Sequence, residues 1–280
     1  PAKPAGDRQY QLPADHADAL ANQDSLDFGA HKAVDIVRAG RQLPELVEAF
    51  RTGRGLPPLA WAPEGRAEFN RPRFVNLLGR EWLPAVGELD RRLSSVPPAR
   101  IADIACGTGW SSIAMAHAYP KVRVDGFDLD EDAIARAREN AASEGVEDRV
   151  SFEARDAAEV GQSFRYDLAT IFEALHDMAR PVDALRAARG LLDDTGWGLL
   201  LADERVADRF VVPADDRERY VYGWSVVTCL PSAMVDPQSA GTGAVMRPDT
   251  VRAYAADAGF AGVETLPIET DYWRFYRLVP

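Results

Sequence analysis

Two regimes of apolar spacing divide the chain. Up to about residue 95, apolar residues recur every three or four positions. "HADALAN" (16–22), "AHKAVDIVRAG" (30–40), "LPELVEAFRTG" (43–53), "RPRFVNLLG" (71–79) and "WLPAVGELDRRL" (82–93) each read as one face of a helix. Gly40, Gly53 and Gly79 stand where C-terminal stops are expected. From Arg100 onward, short apolar runs alternate with helical stretches. Strands are expected at 100–106, 122–129, 150–156, 166–175, 197–203, 263–268 and 273–279, and helices at 110–119, 131–145, 181–192 and 247–260. Such alternation predicts a parallel, doubly wound sheet, and the short link between the last two runs adds an antiparallel strand. The expected class is α/β: a seven-stranded mixed sheet with helices on both faces, preceded by an N-terminal helical segment. Pro97-Pro98 is expected to separate residues 1–95 from a domain over 96–280, with 204–246 inserted as a lid.

Composition narrows the partners. The 280 residues are 46% hydrophobic and 27% charged, enough for a sizeable core. A net charge of −12 without a Lys/Arg stripe disfavours nucleic acid, whose binding draws on counterion release by a basic face. Cys106 and Cys229 lack metal-ligand spacing and read as free thiols of a reducing compartment. No apolar run approaches a membrane span and no signal peptide is visible. The expectation is a cytoplasmic chain acting on a small molecule, with no nucleic-acid or membrane partner.

The chemistry begins at "DIACGTGWSS" (103–112), between the first strand and the first helix of the alternating region. Gly107 and Gly109 allow a ligand to approach the backbone where a Cβ would collide. In a doubly wound sheet that ligand lies beyond the carboxyl ends of the strands. Asp128 ends the second strand and can accept both hydroxyls of a ribose, in a nicotinamide dinucleotide or an adenosyl ligand alike. Three features separate these. The third glycine of a dinucleotide loop is Trp110, which affects helix packing but not a ligand lacking phosphate. Asp103 would repel a pyrophosphate and suits a cation. Asp156 ends the third strand, where it could accept from an adenine amino group. Together they describe S-adenosylmethionine.

The run "ADIACGTGWSS…DGFDLDEDAIARARENA…VSFEARDAAEV…YDLATIFEALHDM…GLLLADERV" resembles the class I S-adenosylmethionine-dependent methyltransferases, with their Rossmann-like fold, across residues 100–203. The resemblance implies that Asp103, Gly107 and Gly109 line the methionine side of the cofactor, with Ala105 and Cys106 in the same loop. Asp128 then holds the ribose, Leu129 packs on the adenine, and Asp156 and Ala157 bracket its edge. Phe172 and Glu173 open toward cofactor and substrate, and S-adenosylhomocysteine is the product. "NRPRFVNLLGREWLPAV", "YGWSVVTCLPSAM", "SAGTGAVMRPDTVRAYAADAGF" and "DYWRFYRL" extend the likeness to a bacterial small-molecule subgroup with an N-terminal winged-helix dimerisation domain. "DRQYQLPADHADAL" resembles the end of that domain.

His176, in "EALHDM", is the candidate catalytic base, since a phenol-like acceptor loses a proton when it takes a methyl group. Tyr220, Tyr222 and Trp224 are the candidate aromatic walls of a substrate pocket, and Arg247 could meet an anionic group. No carboxylate cluster marks a metal site, so none is expected. Apolar positions such as Leu20, Val34, Val37, Leu46, Val47 and Phe50 exceed what one packed helix buries. They predict a homodimer held by residues 14–60, with Phe69, Phe74 and Trp82 turned toward the cofactor domain. The expected function is methyl transfer to a small aromatic or polyketide-like metabolite. The alternatives are a non-catalytic S-adenosylmethionine-binding regulator, opposed by the acidic charge, and an NAD(P)-dependent oxidoreductase, opposed by Trp110 and Asp103.

Overall fold

The structure is a computed structural model and describes residues 3–4, 10–57, 64–156 and 165–280. Seven strands form one sheet: β1 (Arg100–Ile104), β2 (Arg123–Asp128), β3 (Val150–Ala154), β4 (Leu168–Phe172), β5 (Gly198–Glu204), β6 (Gly262–Thr265) and β7 (Trp273–Val279). Their order is β3-β2-β1-β4-β5-β7-β6. The first five run parallel, and β7 inserts antiparallel to both β5 and β6. Every residue of β4 is buried, as expected of a parallel strand covered on both faces. Chain order reverses between β1 and β4, and this switch point opens a crevice at the strands' carboxyl ends.

Ahead of the sheet come α1 (Ala14–Leu20), α2 (Ala30–Arg41), α3 (Leu43–Thr52), α4 (Glu64–Arg73) and α5 (Gly87–Ser94). Between strands lie α6 (Trp110–Ala118), α7 (Glu131–Ser143) and α8 (Pro181–Leu191). After β5 follow α9 (Asp216–Trp224), the short α10 (Leu230–Ala233) and α11 (Pro248–Asp257). One face of the sheet carries a cluster including Leu78, Leu93, Ile113, Ile134 and Phe275, and the other includes Leu185, Leu191, Val251 and Tyr276. Among the described residues, no helix is long and apolar enough to cross a membrane.

The N-terminal helices differ from their expected ends. Gly53 caps α3 in the left-handed conformation, as its position predicts. Gly40, read as a stop, lies inside α2. Gly79, also read as a stop, lies inside a π-helical segment, Phe74–Trp82, that continues α4. There the bare α-carbon is needed for packing: a Cβ at Gly79 would stand 2.3 Å from Ala118 Cβ on α6. The stretch 82–93, read as one helix, breaks at 83–86, where Pro84 lacks an amide hydrogen for the ladder. The close approach at Gly79 seats Phe74 and Trp82 against β7, with ring centroids 5.6 and 5.2 Å from Trp273. Aromatic pairs of this kind add to the area they bury.

Gly79→Ala should therefore destabilise the chain by about 1–3 kcal/mol, because overpacking pushes the π-helical segment and α6 apart. Gly40→Ala, whose Cβ meets nothing within 4 Å, should stabilise it by roughly 0.5–1 kcal/mol. Urea denaturation midpoints check both, and midpoints that shift equally would remove the packing role of Gly79.

Candidate active site

A cavity of about 1,020 Å³ opens where β1, β2 and β4 end. One wall is the turn after β1. Ala105, Gly107 and Gly109 all adopt left-handed backbone angles, with φ of 57°, 53° and 83°. Cys106 donates its amide to Phe127 O at 3.1 Å, and Gly109 donates to Cys106 O at 2.9 Å. Gly107 donates to Asp128 Oδ2 at 2.8 Å, while the Asp130 amide donates to Oδ1 at 3.0 Å. The loop is thus tied to the end of β2.

The two glycines have different tasks. A Cβ at Gly107 would meet nothing within 4 Å, so a side chain there would enter open space. A Cβ at Gly109 would stand 2.5 Å from the Phe152 ring and 3.1 Å from Ala137 Cβ. Gly109 is absent from the cavity wall, contrary to its expected place beside a ligand, and serves the packing of α6 on β3 and α7. Asp103 also departs from expectation. It borders the cavity, but its carboxylate is buried and accepts from Ser111 Oγ and Ser112 Oγ at 2.6 Å each and from Thr170 Oγ1 at 2.7 Å. Burial raises its carboxyl above the usual range, against those three donors. Trp110, expected to affect packing alone, forms cavity wall, and the Arg71 guanidinium lies 4.0 Å from its ring centroid.

Cys106, Leu129, Asp156, Phe172 and Glu173 border the same cavity, as does Ala105. Leu129 is 74% exposed, and so offers an unshielded apolar surface. Burial pushes the Cys106 thiol well up, which suits a packed neutral residue. Ala157 lies outside the described residues.

Facing the loop is a buried polar cluster. His176, on a short 3₁₀ turn (Leu175–Asp177) after β4, is 2% exposed. Its Nδ1 meets Asp203 Oδ1 of β5 at 2.6 Å, and its Nε2 lies 3.4 Å from Asp177 Oδ1. Burial alone lowers the imidazole, but the carboxylates of Asp203 and Asp177 outweigh it and raise its pKa well above the ordinary value. Glu173, at φ 49°, accepts from Asn70 Nδ2 of α4. Burial raises the Glu173 carboxyl too. Burial and the neighbouring Glu173 push Glu204 up to about 8, although Arg217 Nη2 pairs with it at 3.1 Å.

Helical spacing divides the substrate candidates. Tyr220 and Trp224, four apart on α9, border the cavity. Tyr222 and Arg247 do not. Arg247 Nη2 donates to Glu218 Oε1 at 2.6 Å and to Tyr222 OH at 3.1 Å, holding α9 against the start of α11. These two candidates therefore stand outside the cavity, in a brace between two helices. Residues that sequence reasoning missed are Asn70, Glu204 and Lys32, whose Nζ lies 5.9 Å from the Tyr220 ring centroid. Asn70 opens the stretch "NRPRFVNLLG", whose likeness could have marked it; Lys32 carries no local signal.

Residues 97–231 match the sequence family described as "Methyltransferase domain". Over 117 residues the chain is 34% identical to 27-O-demethylrifamycin SV methyltransferase of Amycolatopsis mediterranei, covering 40% of this chain and 43% of that protein. The matched stretches span less than half the length of the curated relatives they match. Two solved structures share the fold. An O-methyltransferase family protein from Burkholderia thailandensis has a TM-score of 0.62 at 18% identity, covering 99% of this chain and 79% of that one. Human N-acetylserotonin methyltransferase, solved in complex with SAM, has a TM-score of 0.65 at 17% identity, covering 96% and 75%.

The His176–Asp203 pair sets a pH dependence of stability. A raised folded-state pKa contributes stability that is complete below the unfolded value, about 6.5, and is lost as pH rises through the folded value. Asp203→Asn should lower the His176 titration midpoint and reduce that dependence, with Asp177 left to hold the remainder. NMR titration of the four histidines decides it, with His16 and His117 as references. An unmoved His176 midpoint would refute the coupling.

Proposed function

We propose that this chain, whose residues 97–231 match a methyltransferase domain family, is a class I S-adenosylmethionine-dependent O-methyltransferase of a small aromatic or polyketide-like metabolite. The observation that carries the reading is one cavity with the Gly107–Asp128 loop on one side and the buried His176–Asp203 pair on the other. The residues fit the cofactor. Open space over Gly107 accommodates the methionine end, the Asp128 oxygens have lone pairs for ribose hydroxyls, and Leu129 and Asp156 border the place of the adenine. When bound, S-adenosylmethionine supplies a methyl group activated by a positive sulfur.

The remaining chemistry belongs to the chain. Tyr220, Trp224 and Phe69 give the acceptor flat apolar walls, and placement in line supplies much of the rate. His176 removes the acceptor's proton, and Asp203 orients the ring through Nδ1, leaving Nε2 toward the cavity side. Because two carboxylates keep the imidazole protonated, the neutral base grows with pH, and turnover rises as pH climbs above neutrality. The relative's printed acceptor, a rifamycin, fits a polyketide-like substrate.

Asp128→Ala removes an acceptor of hydrogen bonds worth roughly 1.5–3 kcal/mol each, so cofactor affinity should fall at least about tenfold in calorimetry. Gly107→Val should weaken it sterically. His176→Ala should keep that affinity and lower turnover about 10²-fold. Unchanged affinity in both loop variants would sink the cofactor assignment. A turnover loss under about fivefold, with an unaltered pH profile, would return His176 to a structural role.

The same reading includes a homodimer. Val34, Ile36, Val37, Val47 and Phe50 are exposed on α2 and α3, whereas Leu46 is buried within the chain. A two-fold pairing uses this apolar surface twice and needs about 1,200 Å² in total. Light scattering should give twice the chain mass at micromolar concentration, and Val37→Asp with Phe50→Asp should yield monomers. A monomeric parent chain excludes the dimer.

A further inference from the structure

The side chains around His176 form a second arrangement, distinct from a base and its carboxylate. Cys229 ends a π-helical segment (Ser225–Cys229) between α9 and α10, far from His176 in sequence. The fold brings its thiol beside the His176 side chain. One ligand atom each from His176, Asp177 and Cys229 lies within 4.8 Å of the others. The imidazole's other nitrogen is held by a carboxylate, Asp203 Oδ1 at 2.6 Å. A carboxylate behind a histidine is the outer-sphere partner typical of metal-bound imidazole, since it fixes the tautomer that presents Nε2. Nε2 lies 3.4 Å from Asp177 Oδ1, so a cation can take the place of the Nε2 proton between them. All three residues border the cavity, which supplies room for a fourth, exchangeable ligand.

We propose that His176, Asp177 and Cys229 form a binding site for a soft divalent cation, of which zinc is the representative, and that its occupancy inhibits methyl transfer. The ligand set of thiolate, imidazole and carboxylate, with one open position, matches the donor preference of zinc. Metal–ligand distances of about 2.0–2.3 Å require the three atoms to draw together by roughly an ångström, a movement open to a side chain on a short turn. Coordination by Cys229 releases its thiol proton to solvent. A metal on Nε2 occupies the lone pair that proton removal uses, so inhibition follows from the base assignment and rests on that reading. The binding itself does not. Nor was it legible in the sequence, where neither cysteine has metal-ligand spacing.

Calorimetry with zinc on the metal-free chain, without cofactor or acceptor, should give one site per chain. Cobalt in its place should show a thiolate-to-metal absorption band in the near ultraviolet. Cys229→Ser should abolish the band and the stoichiometric binding, Asp203→Asn should weaken binding about 10- to 100-fold, and Cys106→Ser should leave both intact. Circular dichroism confirms that each variant is folded. Absence of a stoichiometric site, or a cobalt band that survives Cys229→Ser, overturns the proposal. If zinc binds as described but His176→Ala transfers methyl normally, the base assignment fails and the metal site stands. If zinc does not bind and His176→Ala is inactive, the reverse holds.

Discussion

The site depends on one buried carboxylate. Asp103 is 1% exposed on the central strand β1, where an ionised group without partners would be costly. Its partners come from three directions: Ser111 and Ser112 from the first turn of α6, and Thr170 from β4. These bonds join the two strands that flank the switch point to the helix that begins above them. With α6 fixed at its start and β1 fixed at its end, residues 105–109 must bridge a short gap. They do so with three left-handed residues, one of which, Ala105, is not a glycine. The strain of that turn is held in place by the bond from Gly107 to Asp128. A carboxylate that sequence reasoning aimed at a cationic ligand therefore acts first on the protein, shaping the loop on which any ligand must rest.

The opposite wall follows a similar logic with a different result. Asp203, Glu204 and Glu173 leave adjacent strand ends, so parallel β4 and β5 crowd three carboxylates into one corner. His176, Arg217 and Asn70 meet them there. Low polarity raises Glu173 and Glu204, while Asp203 and Asp177 raise His176 against its own burial. The ionisation of each group therefore depends on that of its neighbours. Under the proposed function, such a cluster can take up the proton that the acceptor loses as it is methylated.

Strand order and the loop were legible because their signals are local. The alternation after Arg100 gave all seven strands, and Asp128 stood at a strand end by count alone. Gly79 and Gly109 were misread for one reason: a glycine needed by a distant neighbour resembles a glycine needed by its own turn. Only the tertiary partners, Ala118 and Phe152, tell them apart. Tyr222 was grouped with Tyr220 and Trp224 because the stretch could be strand or helix; a helix sends positions 220 and 224 one way and 222 another. Asn70 and Lys32 reach the cavity from helices far ahead of the sheet, a juxtaposition without local pattern.

Trp110 connects these observations. In a dinucleotide loop a third glycine lets the helix lie close against the strand. Here Gly109 already supplies the close packing, against Phe152 and Ala137, so the next position is released for another use. Its indole borders the cavity beneath the Arg71 guanidinium, and Arg71 in turn pairs with Asp24 at 2.8 Å. A chain of contacts thus runs from the segment ahead of α2, through α4, to the start of α6. Residue 110 reads as the wrong residue only if the loop is judged alone. Once the preceding helices are packed over it, a large aromatic surface is what closes the cavity on that side, and a glycine would leave Arg71 without its stacking partner.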